Sequence, residues 1–126
     1  MNPDHRVMRL HLWIETDTGL LFGLGRALLL QKIDQLGSIK RAADELGMSY
    51  RAAWGKIRKS EEILGEKLIL QGCSKRDGCE LTEAGRLLME KFLLWYDTVE
   101  KEALEKAREM LPLRIKGYSE KKKTVD

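Results

Sequence analysis

The chain has 126 residues, of which 43% are apolar and 34% are charged, so we expect one domain with a buried core and at most an extension. No apolar run is long enough to cross a membrane, and the N-terminal sequence MNPDHRVMRLHLW lacks the apolar core of a signal peptide, so the expected location is the cytoplasm. The net charge is only +3, but Lys and Arg outnumber Asp and Glu by nine to five between Lys40 and Arg76. This local excess is typical of a surface that faces a polyanion, and also of a plain solvated helix face.

The N-terminal third predicts a β-hairpin followed by a helix. Residues Val7 to Phe22 alternate loosely between apolar and polar around the turn sequence TDTG, which is typical of a hairpin. Arg26–Leu36 carries leucine and isoleucine at helical spacing, and Gly37 ends that helix.

The middle of the chain predicts two short helices joined by a tight turn. These helices cover Ile39–Leu46 and Tyr50–Leu64, and serine N-caps precede them at Ser38 and Ser49. Gly47 permits the sharp turn because glycine adopts the left-handed conformation without a steric penalty. With small alanines on the inner faces, where the helices cross most closely, the pattern predicts a helix-turn-helix.

A wing and a long helix are predicted to complete the fold. Lys67–Gln71 is predicted to form a strand, and the sequence ELT is predicted to form a short return strand after the loop GCSKRDGCE. Glu83–Leu111 has the spacing of an amphipathic helix, which would be roughly 43 Å long. Because a domain of this size cannot cover the whole apolar side of such a helix, its far end is expected to pack on a second copy. The predicted dimerisation residues are Leu88, Phe92, Trp95, Val99, Ala103 and Met110.

The predicted fold class is therefore mainly α with small β-hairpins, in a winged helix-turn-helix arrangement with a long C-terminal dimerisation helix. We expect the winged helix-turn-helix and its N-terminal hairpin over residues 1–81, the dimerisation helix over residues 82–111, and a flexible tail over residues 112–126.

The second helix of the motif carries the predicted DNA contacts. In a winged helix-turn-helix this helix lies in the major groove, with its N-terminal residues nearest the bases. Arg51 suits a bidentate contact to guanine, and Tyr50 suits a contact to a phosphate or a sugar. Trp54 is expected to pack under the wing or on the first helix, and the alternative is an edge contact with DNA. For the cations, an ordinary surface role is the alternative. The predicted DNA-binding residues are Ser38, Ser49, Tyr50, Arg51, Trp54, Lys56, Arg58 and, at the wing tip, Lys75 and Arg76.

The two cysteines lie in the predicted wing loop. Cys73 and Cys79 are too few for a disulfide scaffold, and the five residues between them do not fit a zinc site. We expect reduced thiols here, with a redox switch or a metal site as the alternatives.

At these residues the sequence resembles a known family. GSIKRAADELGMSYRAAW followed by LTEAG is similar to the winged helix-turn-helix of LysR-type regulators, and more closely to that of the molybdate-responsive ModE-type regulators. The latter share the N-terminal hairpin, the GMSYRAAW pattern and a glycine-bearing wing, and the resemblance runs from about Arg9 to Leu94. It implies a dimeric, sequence-specific regulator that binds double-stranded DNA. It also implies DNA contacts by Ser38, Ser49, Tyr50, Arg51 and the wing, and dimer contacts through the hairpin, the first helix and the long C-terminal helix.

Two features depart from the ModE-type pattern. Those regulators carry molybdate-binding domains after the DNA-binding domain, and the residues after Pro112 are too few to form one. The wing loop GCSKRDGCE also has two cysteines and a charged tip where the family tends to be rich in glycine. We therefore expect a stand-alone DNA-binding module with no cofactor and no molybdate binding.

Two other function classes stay open at this point. One is a winged-helix module that binds protein instead of DNA, and the other is an oxyanion or metal sensor that uses Cys73, Cys79, His5 or His11. An enzyme is not expected, because the sequence has only two histidines and lacks a nucleophile elbow, a P-loop or a cluster of metal ligands.

Overall fold

The computed structural model describes residues 6–70 and 78–118, and this part of the chain contains four helices and four short strands. It forms two compact units, one over Leu12–Leu93 and one that combines the chain's two ends, of which residues 6–11 and 94–118 are described. The elements in chain order are β1 (Val7–Met8), β2 (Trp13–Thr16), β3 (Gly19–Gly23), α1 (Leu24–Leu36), α2 (Ile39–Glu45), α3 (Tyr50–Leu64), α4 (Glu83–Met110) and β4 (Lys116–Gly117). The predicted fold class is confirmed.

The N-terminal hairpin is shorter than the sequence predicts. Strand β2 pairs antiparallel with β3, from Trp13 opposite Gly23 to Thr16 opposite Gly19. The prediction that the hairpin begins at Val7 is wrong, because β1 pairs in parallel with β4 at the other end of the chain. Alternation of apolar and polar residues indicates a strand but does not identify its partner.

Helices α1, α2 and α3 bury a common apolar core. The three alanines at the inner faces of α2 and α3, Ala42, Ala43 and Ala53, are fully buried at 0% exposure, as the helix-turn-helix pattern predicts. Their small side chains let the two helices cross closely. The larger core residues around them are Phe22, Leu29, Leu30, Ile33, Ile39, Ile57 and Leu68.

The predicted wing strand is much reduced within the described residues. Over residues 67–70, the described part of the predicted strand Lys67–Gln71, the structure has an isolated antiparallel bridge between Ile69 and Leu81. Backbone hydrogen bonds extend the contact on both sides, from Leu70 N to the Glu80 carbonyl (2.9 Å) and from Thr82 N to the Leu68 carbonyl (3.0 Å).

Helix α4 begins where it packs tightly against this bridge. The Thr82 hydroxyl accepts a hydrogen bond from Gly85 N (2.9 Å), so Thr82 caps the helix as predicted. A β-carbon at Gly85 would lie 2.2 Å from the carbonyl oxygen of Leu68, a distance that excludes any side chain there. Phe92 then packs edge-on against Phe22, with ring centroids 5.3 Å apart.

In the unit formed by the chain ends, the segments before β2 and after α4 pack on the second half of α4. The Tyr96 hydroxyl donates a hydrogen bond to the Leu10 carbonyl (2.9 Å), and the Arg9 guanidinium lies 4.4 Å from the centre of the Tyr118 ring. The sequence predicts a flexible tail over residues 112–126, yet Lys116–Gly117 forms strand β4 against β1. The remaining tail, residues 119–126, lies outside the described part of the chain.

No helix among the described residues is long and apolar enough to span a membrane.

Candidate nucleic-acid interface

Two serine caps and a glycine turn fix the geometry of the α2–α3 motif. Ser38 Oγ accepts a hydrogen bond from Arg41 N (3.1 Å), and Ser49 Oγ accepts one from Ala52 N (3.0 Å). Gly47 has a φ of 71°, which glycine adopts without strain. Both hydroxyls keep a proton to donate, so capping leaves Ser38 and Ser49 able to donate to a phosphate oxygen.

The outward side of α3 is basic and its charge is not neutralised within the described chain. Arg51, Lys56 and Arg58 are exposed, and Lys59 is half-buried. None of the four lies within 4.0 Å of a carboxylate of another described residue, whereas six other Lys and Arg side chains form ion pairs. Positive charge without a carboxylate partner is available to an external anion.

Trp54 links two of the predicted contact residues along α3. Its ring meets the Tyr50 ring edge-on, with centroids 6.4 Å apart, and the Arg58 guanidinium lies 4.9 Å from the Trp54 ring centre. Residues four apart lie on the same side of a helix, so Tyr50, Trp54 and Arg58 form one ladder. These ring contacts are made within α3 and hold the Arg58 side chain along the helix surface.

A buried glutamate attaches the base of the wing to α3. Glu61 Oε2 accepts hydrogen bonds from Leu68 N (2.9 Å) and Ile69 N (3.3 Å), and Oε1 lies 3.8 Å from Lys67 Nζ. The glutamate is only 8% exposed. Its role was not predicted, although an acidic residue four positions after the buried Ile57 is a signal of a buried hydrogen-bonding role.

Arg26 connects the hairpin to α1 and α3, a role that was not predicted from the sequence either. Its Nη1 donates hydrogen bonds to the carbonyls of Leu20 and Leu21 and to Ser60 Oγ (2.8 Å), and the Ser60 hydroxyl in turn donates to Leu21. Burial lowers the pKa of the Arg26 guanidinium below its ordinary value. These bonds fix α3 relative to the hairpin, which is a structural role.

The wing loop, residues 72–80, is described only at its C-terminal end, over residues 78–80. Cys79 is disulfide-bonded and buried, so the expected reduced thiol is wrong at this position. A cysteine count too small for a disulfide scaffold does not exclude a single disulfide bond. The Cys79 N–H donates to the Gly37 carbonyl (2.8 Å), next to the Ser38 cap. Cys73 and the predicted tip contacts Lys75 and Arg76 lie outside the described residues.

The predicted dimerisation residues of α4 divide into three groups by their exposure. Trp95 and Met110 are 42% and 76% exposed, whereas Phe92 is buried against Phe22 and belongs to the protomer's own core. The half-buried members are Leu88, Val99 and Ala103. Leu87 and Leu94, which were not predicted, are 54% and 60% exposed. They lie two turns apart on one side of α4 and extend its exposed apolar surface.

The proposed metal sensor finds no support in the described residues, which contain no group of three His, Cys, Asp or Glu side chains arranged to hold an ion. His11 is exposed, and His5 lies outside the described part.

Comparison with known families identifies the motif. The family model described as bacterial regulatory helix-turn-helix protein, lysR family, matches residues 24–86, which run from the start of α1 into α4. This match confirms the resemblance to LysR-type regulators seen in the sequence, and the curated relatives below confirm the resemblance to ModE-type regulators.

Two curated relatives resemble the chain over about two thirds of its length. The molybdenum transport protein ModE of Azotobacter vinelandii is 33% identical over 81 residues, which are 63% of this chain and 30% of that protein. The molybdenum-pterin-binding protein MopB of Rhodobacter capsulatus is 35% identical over 85 residues, which are 66% of this chain and 30% of that protein. The chain thus spans less than a third of the length of these relatives.

A solved structure supports the fold independently. The crystal structure of the BenM DNA-binding domain in complex with benA site 1 DNA matches with a TM-score of 0.59 at 19% identity, over 72% of this chain and 99% of that one.

Proposed function

Because the chain belongs to the LysR family of bacterial regulatory helix-turn-helix proteins, we propose that it binds double-stranded DNA and regulates transcription, with α3 in the major groove. The observation that carries the proposal is the row of cations on α3 that form no ion pair with a described residue. A protein–DNA interface needs such charge, because phosphate contacts supply much of its affinity. A chromosomal partner also implies the cytoplasm, and the proposal includes no catalytic role.

The proposed roles differ along α3. Arg51, on the first turn, is exposed and reads base edges, while Lys56 and Arg58 lie further along and bind phosphates. Tyr50 is half-buried against Trp54 and contributes a phosphate or sugar contact beside Arg51. The caps Ser38 and Ser49 donate their hydroxyl protons to the backbone of the duplex.

We further propose that the protein acts as a homodimer through α4. The helix exposes Leu87, Leu94 and Trp95 to solvent, which is unfavourable for apolar side chains. Packing against the same helix of a second copy would bury them. A two-fold dimer would present two α3 helices to half-sites about one helical turn of DNA apart.

The function is tested by fluorescence anisotropy with a labelled duplex selected by the wild-type protein from a random-sequence library. Arg51→Ala is expected to lose about 1–3 kcal/mol of binding free energy and to discriminate less between sequences. Lys106→Ala, which removes the same charge from the last turns of α4, is the matched control and should bind like the wild type. A wild-type protein that selects no duplex, or an Arg51→Ala variant that binds as well as the wild type, would contradict the assigned role of α3.

A further inference from the structure

Gly55 lies in the interior of α3, on the exposed side of the helix. Glycine is less favourable than alanine inside a helix because it loses more backbone entropy on folding. An exposed glycine in the middle of a helix therefore calls for a reason, either in the chain itself or in something that the helix meets.

The chain itself supplies no such reason among its described residues. A β-carbon built on Gly55 would meet no atom within 4 Å, and its φ is not in the left-handed region. Two other glycines of the same unit, Gly47 and Gly85, differ in this respect. Gly47 has a φ of 71°, and Gly85 packs against the backbone of Leu68. The fold would accept alanine at Gly55 and would gain helix stability from it.

The surroundings of Gly55 indicate what the helix meets. Its neighbours one turn before and after are Arg51, Ala52, Arg58 and Lys59. Three of these four are cations that form no ion pair with a described residue. The gap left by the missing side chain therefore lies at the centre of the basic surface of α3.

We infer that Gly55 is the point at which duplex DNA comes closest to the axis of α3, so that a β-carbon there keeps the helix out of its bound position. This inference rests on the proposed function and adds a residue that sets how deeply the helix enters the groove. Glycine commonly serves where backbone must approach a ligand closely. Alanine at position 55 would then favour helix stability, whereas glycine favours DNA affinity. The chain has the residue that favours DNA affinity.

The test compares Gly55→Ala and Gly55→Leu with the wild type, by thermal unfolding without DNA and by anisotropy with the duplex selected by the wild type. Gly55→Ala should raise the melting temperature by about 4 °C, because alanine favours the helix. It should also weaken DNA binding by about tenfold, and Gly55→Leu should weaken it further because the side chain is larger. A merely structural glycine would not move stability and affinity in opposite directions.

Gly25→Ala is the matched control, because Gly25 is also exposed in a helix and a β-carbon there meets nothing within 4 Å. This variant should bind the duplex like the wild type. Gly55→Ala binding as tightly as the wild type would overturn the inference and leave the proposed function standing. A lower melting temperature for Gly55→Ala would overturn it too, because the fold would then require the glycine. If the wild type selects no duplex, the proposed function fails and the inference fails with it.

Discussion

The Tyr96 hydroxyl forms a hydrogen bond and also titrates. Each of these two properties contributes to the stability of the unit formed by the chain ends. Its hydroxyl donates to the Leu10 carbonyl, and burial raises its pKa above the ordinary value of 10.0, with a further upward contribution from the charge of Glu100. The unfolded chain therefore loses this proton at a lower pH than the folded chain does. The stabilisation from Tyr96 is complete below the unfolded-state pKa and is lost as the pH rises through the folded-state pKa.

Tyr96→Phe is expected to remove both effects. At pH 7 the free energy of unfolding should fall by about 1 kcal/mol, because the hydrogen bond to Leu10 is lost. Above about pH 10 the stability of the variant should decline less steeply than that of the wild type, because one group with a raised pKa is gone. Urea unfolding of both proteins across this pH range measures the difference, and equal alkaline slopes would show that Tyr96 does not titrate as described.

The roles of single residues were predictable where their partners are near in sequence. The caps Ser38 and Ser49 bond to an N–H three residues on, so the sequence predicts them directly. Arg26 reaches Ser60, which is far away along the chain, and no local pattern reveals such a partner. The disulfide at Cys79 was missed because the number and spacing of cysteines do not by themselves show whether a thiol is bonded.

Among the elements, the start of α4 depends on one close backbone approach. Gly85→Ala would place a β-carbon 2.2 Å from the Leu68 carbonyl oxygen, and neither atom can rotate away because the backbone fixes the positions of both. We expect this variant to lose about 3 kcal/mol of unfolding free energy, as an overpacked core site does. Urea unfolding measures the loss, with Gly25→Ala as the control that should lose nothing. An unchanged stability for Gly85→Ala would contradict the packing of α4 against the wing base.

The helices were predicted well because caps, glycine stops and apolar spacing are local signals. Helix α3 begins and ends where the sequence places it, at Tyr50 and Leu64. The strands were predicted less well because their partners are distant. Val7–Met8 pairs with Lys116–Gly117, a contact between the two ends of the chain that no spacing rule indicates.

The whole molecule is proposed to work as a dimer, and α4 carries that prediction. The wild type should sediment as a dimer at tens of micromolar protein, and Leu94→Glu should sediment as a monomer with an unchanged helical content. Leu94 is 60% exposed, so a charged side chain there should weaken packing against a second copy more than packing in the chain's own core. Glu102→Ala, an exposed change on the same helix, should leave the dimer intact. A monomeric wild-type protein would remove the proposal.

The salt dependence of duplex binding is the sharpest test of the claim that α3 meets DNA through its cations. Each phosphate contact releases a counterion, so the logarithm of the binding constant should fall with the logarithm of the salt concentration with a slope of at least about 3 in magnitude. Arg58→Ala should reduce that slope by about 1 for each bound protomer and weaken binding to all sequences alike. Duplex binding whose strength does not change with salt, or an Arg58→Ala slope equal to that of the wild type, would contradict the placement of α3 against the phosphate backbone.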